Sequence, residues 1–129
     1  MPEVLGKIVT GTLDRVEGIP GPKGFIRVAM TSDEVVSTCP VTGQPDFYTV
    51  TIEFMPGELI IESKSLKLYL RKFATMGIFC EQLSETIRGE IEEVIHPRDI
   101  VVTVVQKSRG GISITAISSG PQTEWEDIT

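Results

Sequence analysis

Cys39 and Asp46 flank Pro40-Val41-Thr42-Gly43-Gln44-Pro45, a segment dense in turn formers that lets the chain fold back on itself. A thiolate with a carboxyl group in reach is a nucleophile with its own proton donor or acceptor. That pair suits covalent capture of a carbon electrophile. Each residue also has a plainer use: a lone cysteine is commonly a small buried hydrophobe, and Asp46 could hold a turn ahead of a strand. A second constellation is Glu62-Ser63-Lys64-Ser65-Leu66-Lys67-Leu68-Tyr69. Lys64, Lys67, Arg71 and Lys72 follow helical spacing and form one basic face, with Ser63 or Ser65 as the expected cap. Such a face beside a helix N-terminus can grip a phosphate, or it can be an ordinary solvated stripe. Arg109, in an Arg-Gly-Gly turn, could add a bidentate phosphate contact or serve the turn alone. Cys80 and Glu81 open another helix. Cys80 lies on the side of Leu83 and Ile87, as a core residue would. Glu81 is favoured at a helix N-terminus and is also suited to the paired N–H donors of a guanine-like ring.

The elements that must hold these residues are legible from periodicity and punctuation. Residues 1–25 are rich in Gly and Pro and read as turn and loop, with a short strand over Phe25–Met30. Phe47–Met55 is dense in aromatic and β-branched residues and predicts a strand. Pro56-Gly57 turns it, and Glu58–Ile61 is the expected second arm of a hairpin. Helices are predicted over Ser63–Thr75, stopped by Gly77, and over Phe79–Ile95, ended by Pro97. Ile100–Val105 and Ile112–Ile117 are strands joined by a turn at Ser108–Gly111. The order ββααββ lacks βαβ alternation. It predicts an α+β fold: an antiparallel sheet with two helices on one face and two edges to protect. One domain is expected over residues 1–129, with 1–30 as an N-terminal extension and 121–129 as a loose tail.

Bulk properties exclude several classes. The net charge of −6 makes a nucleic-acid partner a poor expectation, since phosphate contacts dominate that affinity. No apolar run reaches membrane-helix length, and the N-terminus lacks a signal-peptide core, so no membrane partner and a cytoplasmic location are expected. The single histidine, His96, rules out a multi-histidine metal centre. Cys39, Cys80 and His96 match no zinc spacing, so no metal is expected.

Three motifs together resemble the single-domain 7-cyano-7-deazaguanine reductases, the QueF family. They are Ser37–Phe47 (STCPVTGQPDF), Glu62–Tyr69 (ESKSLKLY) and Arg109–Ser113 (RGGIS), within a match from about Thr31 to Gly120, roughly 70% of the chain. The resemblance implies the T-fold and a homo-oligomer, a decamer of two stacked rings with active sites between subunits. It also implies NADPH-dependent reduction of a deazapurine nitrile to the aminomethyl compound. In that reading Cys39 forms a covalent thioimide and Asp46 delivers the proton. Ile61, Glu62, Ser63, Cys80 and Glu81 face the base, and Lys64, Lys67 and Arg109 hold NADPH phosphates. The absence of a Rossmann glycine fingerprint agrees with a family that binds NADPH outside that fold. Two alternatives stand beside it. One is a QueF-like amidinotransferase adding ammonia to the nitrile, as in archaeosine formation. The other is a deazapurine-binding module without catalysis.

One position departs from the family pattern. Cys80 stands where the family usually has histidine before glutamate, and a thiol cannot act as an imidazolium at neutral pH. On the resemblance, Cys80 is expected to face the same pocket as Cys39, where the two thiols could close into a disulfide.

Overall fold

The computed structural model describes residues 11–122. Its element order is β1 (Gly18–Pro20), β2 (Val28–Thr38), β3 (Pro45–Met55), β4 (Leu59–Ile61), α1 (Ser63–Arg71) continued by a 3-10 turn (Lys72–Thr75), α2 (Cys80–Ile95), β5 (Asp99–Arg109) and β6 (Ile112–Gly120). Strands β2, β3, β5 and β6 form one antiparallel sheet in that order. Residues 1–10 of the expected extension, and the expected tail from residue 123 onward, lie outside the described residues. Among the described residues no helix is long and apolar enough to cross a membrane.

Alternation along β3 and β5 decides which face is covered. Tyr48, Val50, Ile52 and Phe54 are buried, as are Ile100, Val102 and Val104 across from them. Side chains two residues apart share a face, so this is one continuous apolar stripe. The helices lie over it: α2 on β5 and β6, and the 3-10 turn on β2. They bring Leu66, Leu70, Phe73, Leu83, Ile87, Ile91 and Ile95 into the same core. The α+β class and the two-helix face follow the pattern expected from the sequence.

Three details differ from expectation. The strand expected over 25–30 runs from Val28 to Thr38, because a bulge between Ser32 and Val35 carries the polar residues Asp33 and Glu34 through an otherwise paired strand. The segment after Pro56-Gly57 does not return as a hairpin on β3. Both sides of β3 are taken by β2 and β5, so β4 pairs with β1 in a separate two-stranded sheet. There Glu62 N donates to Glu17 O at 2.9 Å. Finally, neither Ser63 nor Ser65 caps α1. The Glu62 carboxylate accepts from Ser65 N at 2.7 Å and from Lys64 N at 3.0 Å. A carboxylate satisfies two free N–H groups and also meets the positive end of the helix dipole, which a hydroxyl cannot do as fully.

Candidate active site

Cys39 follows the last residue of β2, Thr38, and opens a closed loop. Cys39 N donates to Gln44 O at 2.8 Å, and Gly43 N donates to Cys39 O at 2.9 Å. Gly43 sits at φ 71°, a conformation that favours glycine. The preceding residue ties this loop to the connector between the helices. Thr38 N donates to Met76 O at 3.0 Å, Ile78 N donates to Thr38 O at 3.3 Å, and the Thr38 hydroxyl donates to Ala74 O at 3.1 Å. The half-buried Cys39 is thereby fixed beside the start of α2. Its thiol is held below the ordinary range, first by a hydrogen bond from the Thr42 side chain and then by backbone groups at Thr42 and Val41. Burial and the negative charge of Asp46 push the other way.

Asp46 is the last rung of the buried row on β3. It shares a face with Tyr48 and pairs in register with Ser37, and it is 5% exposed. The row is held here by a buried 2.7 Å hydrogen bond between the Ser37 and Tyr48 hydroxyls. A carboxylate at such a site needs a partner, because burying an unpaired charge is costly. Arg109 supplies it: Nη1 donates to Asp46 Oδ1 at 2.6 Å, and Nη2 donates to Gln44 Oε1. A bulge between Gln106 and Arg109 makes this reach possible. One extra residue on β5 puts Arg109 in phase with Gln106, on the face of Ile112 and Ile114. Gly110 and Gly111, both at positive φ, then close the two-residue turn.

A cleft of about 640 Å³ is lined by Cys39, Thr42, Asp46, Phe79, Glu81, Gln82, Gln106, Arg109 and Ile114. The structure therefore brings together Cys39, Asp46, Glu81 and Arg109, which the sequence singled out. Glu81 is exposed in the first turn of α2, where no side chain caps the helix. Thr42, Gln44, Gln82 and Gln106 were not anticipated. Thr42 and Gln44 lie inside the Cys39–Asp46 motif, and that position was their available signal. Gln106 continues the inward alternation of Ile100, Val102 and Val104 one step beyond the strand expected to end at Val105.

Other expected site residues lie elsewhere. Cys80 is 1% exposed and does not line the cleft. Its thiol points at the sheet, 3.6 Å from Val104 O, and burial followed by the charge of Glu81 raises its pKa. It is a neutral core residue, and nothing in its setting supports a disulfide with Cys39. Ser63 and Lys67 line a second cavity of about 670 Å³ between β2 and α1, which shares no residue with the first. Ile61 and Glu62 are buried at the junction of β4 and α1, with Glu62 engaged in capping. Of the expected basic face, Lys72 is committed to Glu90 at 2.9 Å and to Asp14 O at 2.8 Å. Lys64, Lys67 and Arg71 make no ion pair among the described residues and stay available to an anion.

A family model described as QueF-like protein matches residues 45–125. The NADPH-dependent 7-cyano-7-deazaguanine reductase of Chlorobium phaeobacteroides (strain BS1) is 40% identical over 92 residues, covering 71% of this chain and 78% of that protein. The protein of the same name from Frankia casuarinae is 44% identical over 86 residues, 67% of this chain and 69% of that one. That from Bacillus pumilus is 43% identical over 103 residues, covering 78% and 62%. Among solved structures, the crystal structure of the archaeosine synthase QueF-Like in the apo form aligns with a TM-score of 0.68 at 16% identity. It covers 81% of this chain and 100% of that one. At that identity the likeness establishes the fold, which is the T-fold expected from the sequence.

Proposed function

The chain belongs to the QueF family, and from that premise we propose that it is an NADPH-dependent 7-cyano-7-deazaguanine reductase acting through a covalent thioimide on Cys39. The observation that carries the proposal is the pairing of an activated thiol with the Asp46 carboxylate on one cleft. The sulfur lone pair forms a bond to the nitrile carbon. One carbon–nitrogen π pair moves to nitrogen, and nitrogen takes the proton that the thiol gave up, by way of Asp46. A nitrile is a weak electrophile, and capture converts it to a C=N bond that accepts hydride. Glu81, at the mouth of α2, accepts the N–H donors of the pyrimidine edge. NADPH would supply one hydride per molecule: after the first, the S–C bond breaks to return the Cys39 thiolate and leave a C=N bond, which the second hydride with a proton would take to the primary amine. Lys64, Lys67 and Arg71 suit its phosphates, because they are cations without ion-pair partners among the described residues beside an available cavity.

The two cavities of one chain hold different parts of this machinery. That supports a site composed between copies of the chain in a homo-oligomer, with the ring decamer as its expected form. A cytoplasmic location belongs to the same proposal.

The test is intact-mass measurement after incubation with 7-cyano-7-deazaguanine alone. Wild type should gain the mass of the base, and Cys39→Ala should gain nothing. An adduct in Cys39→Ala, or none in wild type, overturns the mechanism. NADPH oxidation with the nitrile in the absence of ammonia separates reduction from amidine formation.

A further inference from the structure

We propose that Arg109 is a positioning residue for the Asp46 proton relay, acting through a fixed three-point grip on the Cys39–Asp46 loop and independently of any cofactor phosphate. The inference rests on the thioimide reading above. Its geometry is direct. All three acceptors of the Arg109 guanidinium lie on consecutive residues of that loop: Gln44 Oε1, Pro45 O at 3.4 Å and Asp46 Oδ1 at 2.6 Å. A planar guanidinium with two donor nitrogens engaged this way fixes direction as well as charge. Only Oδ1 of Asp46 is taken; among the described residues no hydrogen bond occupies Oδ2. The carboxylate is thus held in one rotation, with one oxygen on the arginine and the other free on the cleft that Cys39 also lines. That free oxygen takes the thiol proton and returns it to the nitrile nitrogen as the S–C bond forms, so the step balances with no outside reagent.

Two structural features make this grip possible. The β5 bulge turns Arg109 onto the cleft face, and the Gly110-Gly111 turn ends the strand directly behind it. Gln44 is itself held, since its N donates to the Thr42 hydroxyl at 3.3 Å and its O accepts from Cys39 N at 2.8 Å. The arginine therefore connects the acid, the nucleophile loop and the β5–β6 hairpin. A residue that served only a cofactor phosphate would have no need of Gln44 or Asp46.

Cofactor-free thioimide formation separates the two roles. Wild type, Arg109→Ala, Arg109→Lys and Gln44→Ala are mixed with 7-cyano-7-deazaguanine without NADPH, and adduct is followed by intact mass against base concentration. Arg109→Ala should lower the saturating rate by about ten- to a hundredfold, the scale of a small misplacement of a reacting group. The half-saturating base concentration should stay near wild type, because in this reading Glu81 recognises the base while the Arg109 guanidinium is engaged on Gln44 and Asp46. Arg109→Lys should recover part of the rate, since a lysine reaches one partner and not both. Gln44→Ala should fall between wild type and Arg109→Ala. An Arg109→Ala rate equal to wild type overturns the inference, whatever happens to NADPH-dependent turnover. If Arg109→Ala raises the half-saturating concentration and leaves the saturating rate alone, the residue binds the base and the inference is also overturned. Absence of adduct in wild type would instead sink the thioimide reading, so the two failures are distinct.

Discussion

At the scale of single residues, reactivity is set within the Cys39–Asp46 loop. Thr42 is the largest influence holding the Cys39 thiol below its ordinary range, so it populates the thiolate at lower pH. The thiolate is the attacking form, and a lowered thiol pKa eases transfer of the thiol proton to Asp46. Thr42→Val removes the hydroxyl and keeps the shape, and the Cys39 titration should move to higher pH. Ultraviolet thiolate absorbance titrated in both proteins, with Cys39→Ala as the blank, reads the shift directly. Coincident titrations in wild type and Thr42→Val would show that the hydroxyl does not matter. The pairing of Cys39 with Asp46 was legible in the sequence because turn formers between them leave few other arrangements. The partner of Asp46 was not. Arg109 lies far along the chain, and its role depends on a bulge that reverses its face. Cys80 misled for a related reason. Its neighbour Glu81 reaches the cleft, but adjacent helical positions point in different directions, and Cys80 faces the sheet.

At the scale of elements, helices were legible and strand pairings were less so. The boundaries of α1 and α2 follow apolar spacing that packing does not override. The β4 segment was assigned the wrong partner, since nothing local reveals that β3 already has two neighbours. The cap of α1 was also misread, because Glu62 is an uncommon N-cap residue. Glu62→Ala frees two buried-end N–H groups and should cost about 1 kcal/mol of stability, within a range of roughly 0.5–2. Urea unfolding measures it, and a change within error would leave the cap without energetic weight. A second element-level device joins α2 to β6. Arg88, 4% exposed, donates to Ser118 Oγ at 2.9 Å and to Glu92 at 2.9 Å, and it pairs with Glu85. The Ser118 hydroxyl is the main cause that holds the Glu85 carboxyl below the usual range, with Arg88 adding and burial opposing. A carboxyl lowered in the folded state contributes stability that is present above its unfolded pKa. That stability is lost as pH falls through the lower, folded value. Ser118→Ala should therefore reduce stability at neutral pH and flatten its decline in acid. Unfolding midpoints across the acid range that keep the wild-type slope in Ser118→Ala would assign the effect to other groups.

At the scale of the whole molecule, the arrangement of the two cavities makes the strongest demand. Cys39, Asp46, Glu81 and Arg109 line one cleft, while Lys67 and Arg71 line the α1 groove and Lys64 lies on the same helix. The resemblance carried by the sequence motifs implies active sites between subunits. Proximity in sequence does not decide which copy of a chain meets which. If the catalytic unit is the cleft of one copy facing the groove of another, two separately inactive variants should complement each other. Cys39→Ala retains the groove and lacks the nucleophile. Lys64→Ala combined with Lys67→Ala retains the cleft and lacks the phosphate grip. Each alone should show little NADPH oxidation at low cofactor concentration. After subunit exchange in an equal mixture, half the clefts and half the grooves are intact. Heterologous ring contacts would then pair intact parts in about a quarter of the sites, and activity should recover to about that fraction. Exchange is verified independently by native mass measurement with one variant isotopically labelled. Exchanged rings without recovered activity would mean that each chain supplies its own cations to its own cysteine. Recovery near a quarter would instead establish that the functional unit is the junction between copies, with the α1 lysines of one chain serving the Cys39 of the next.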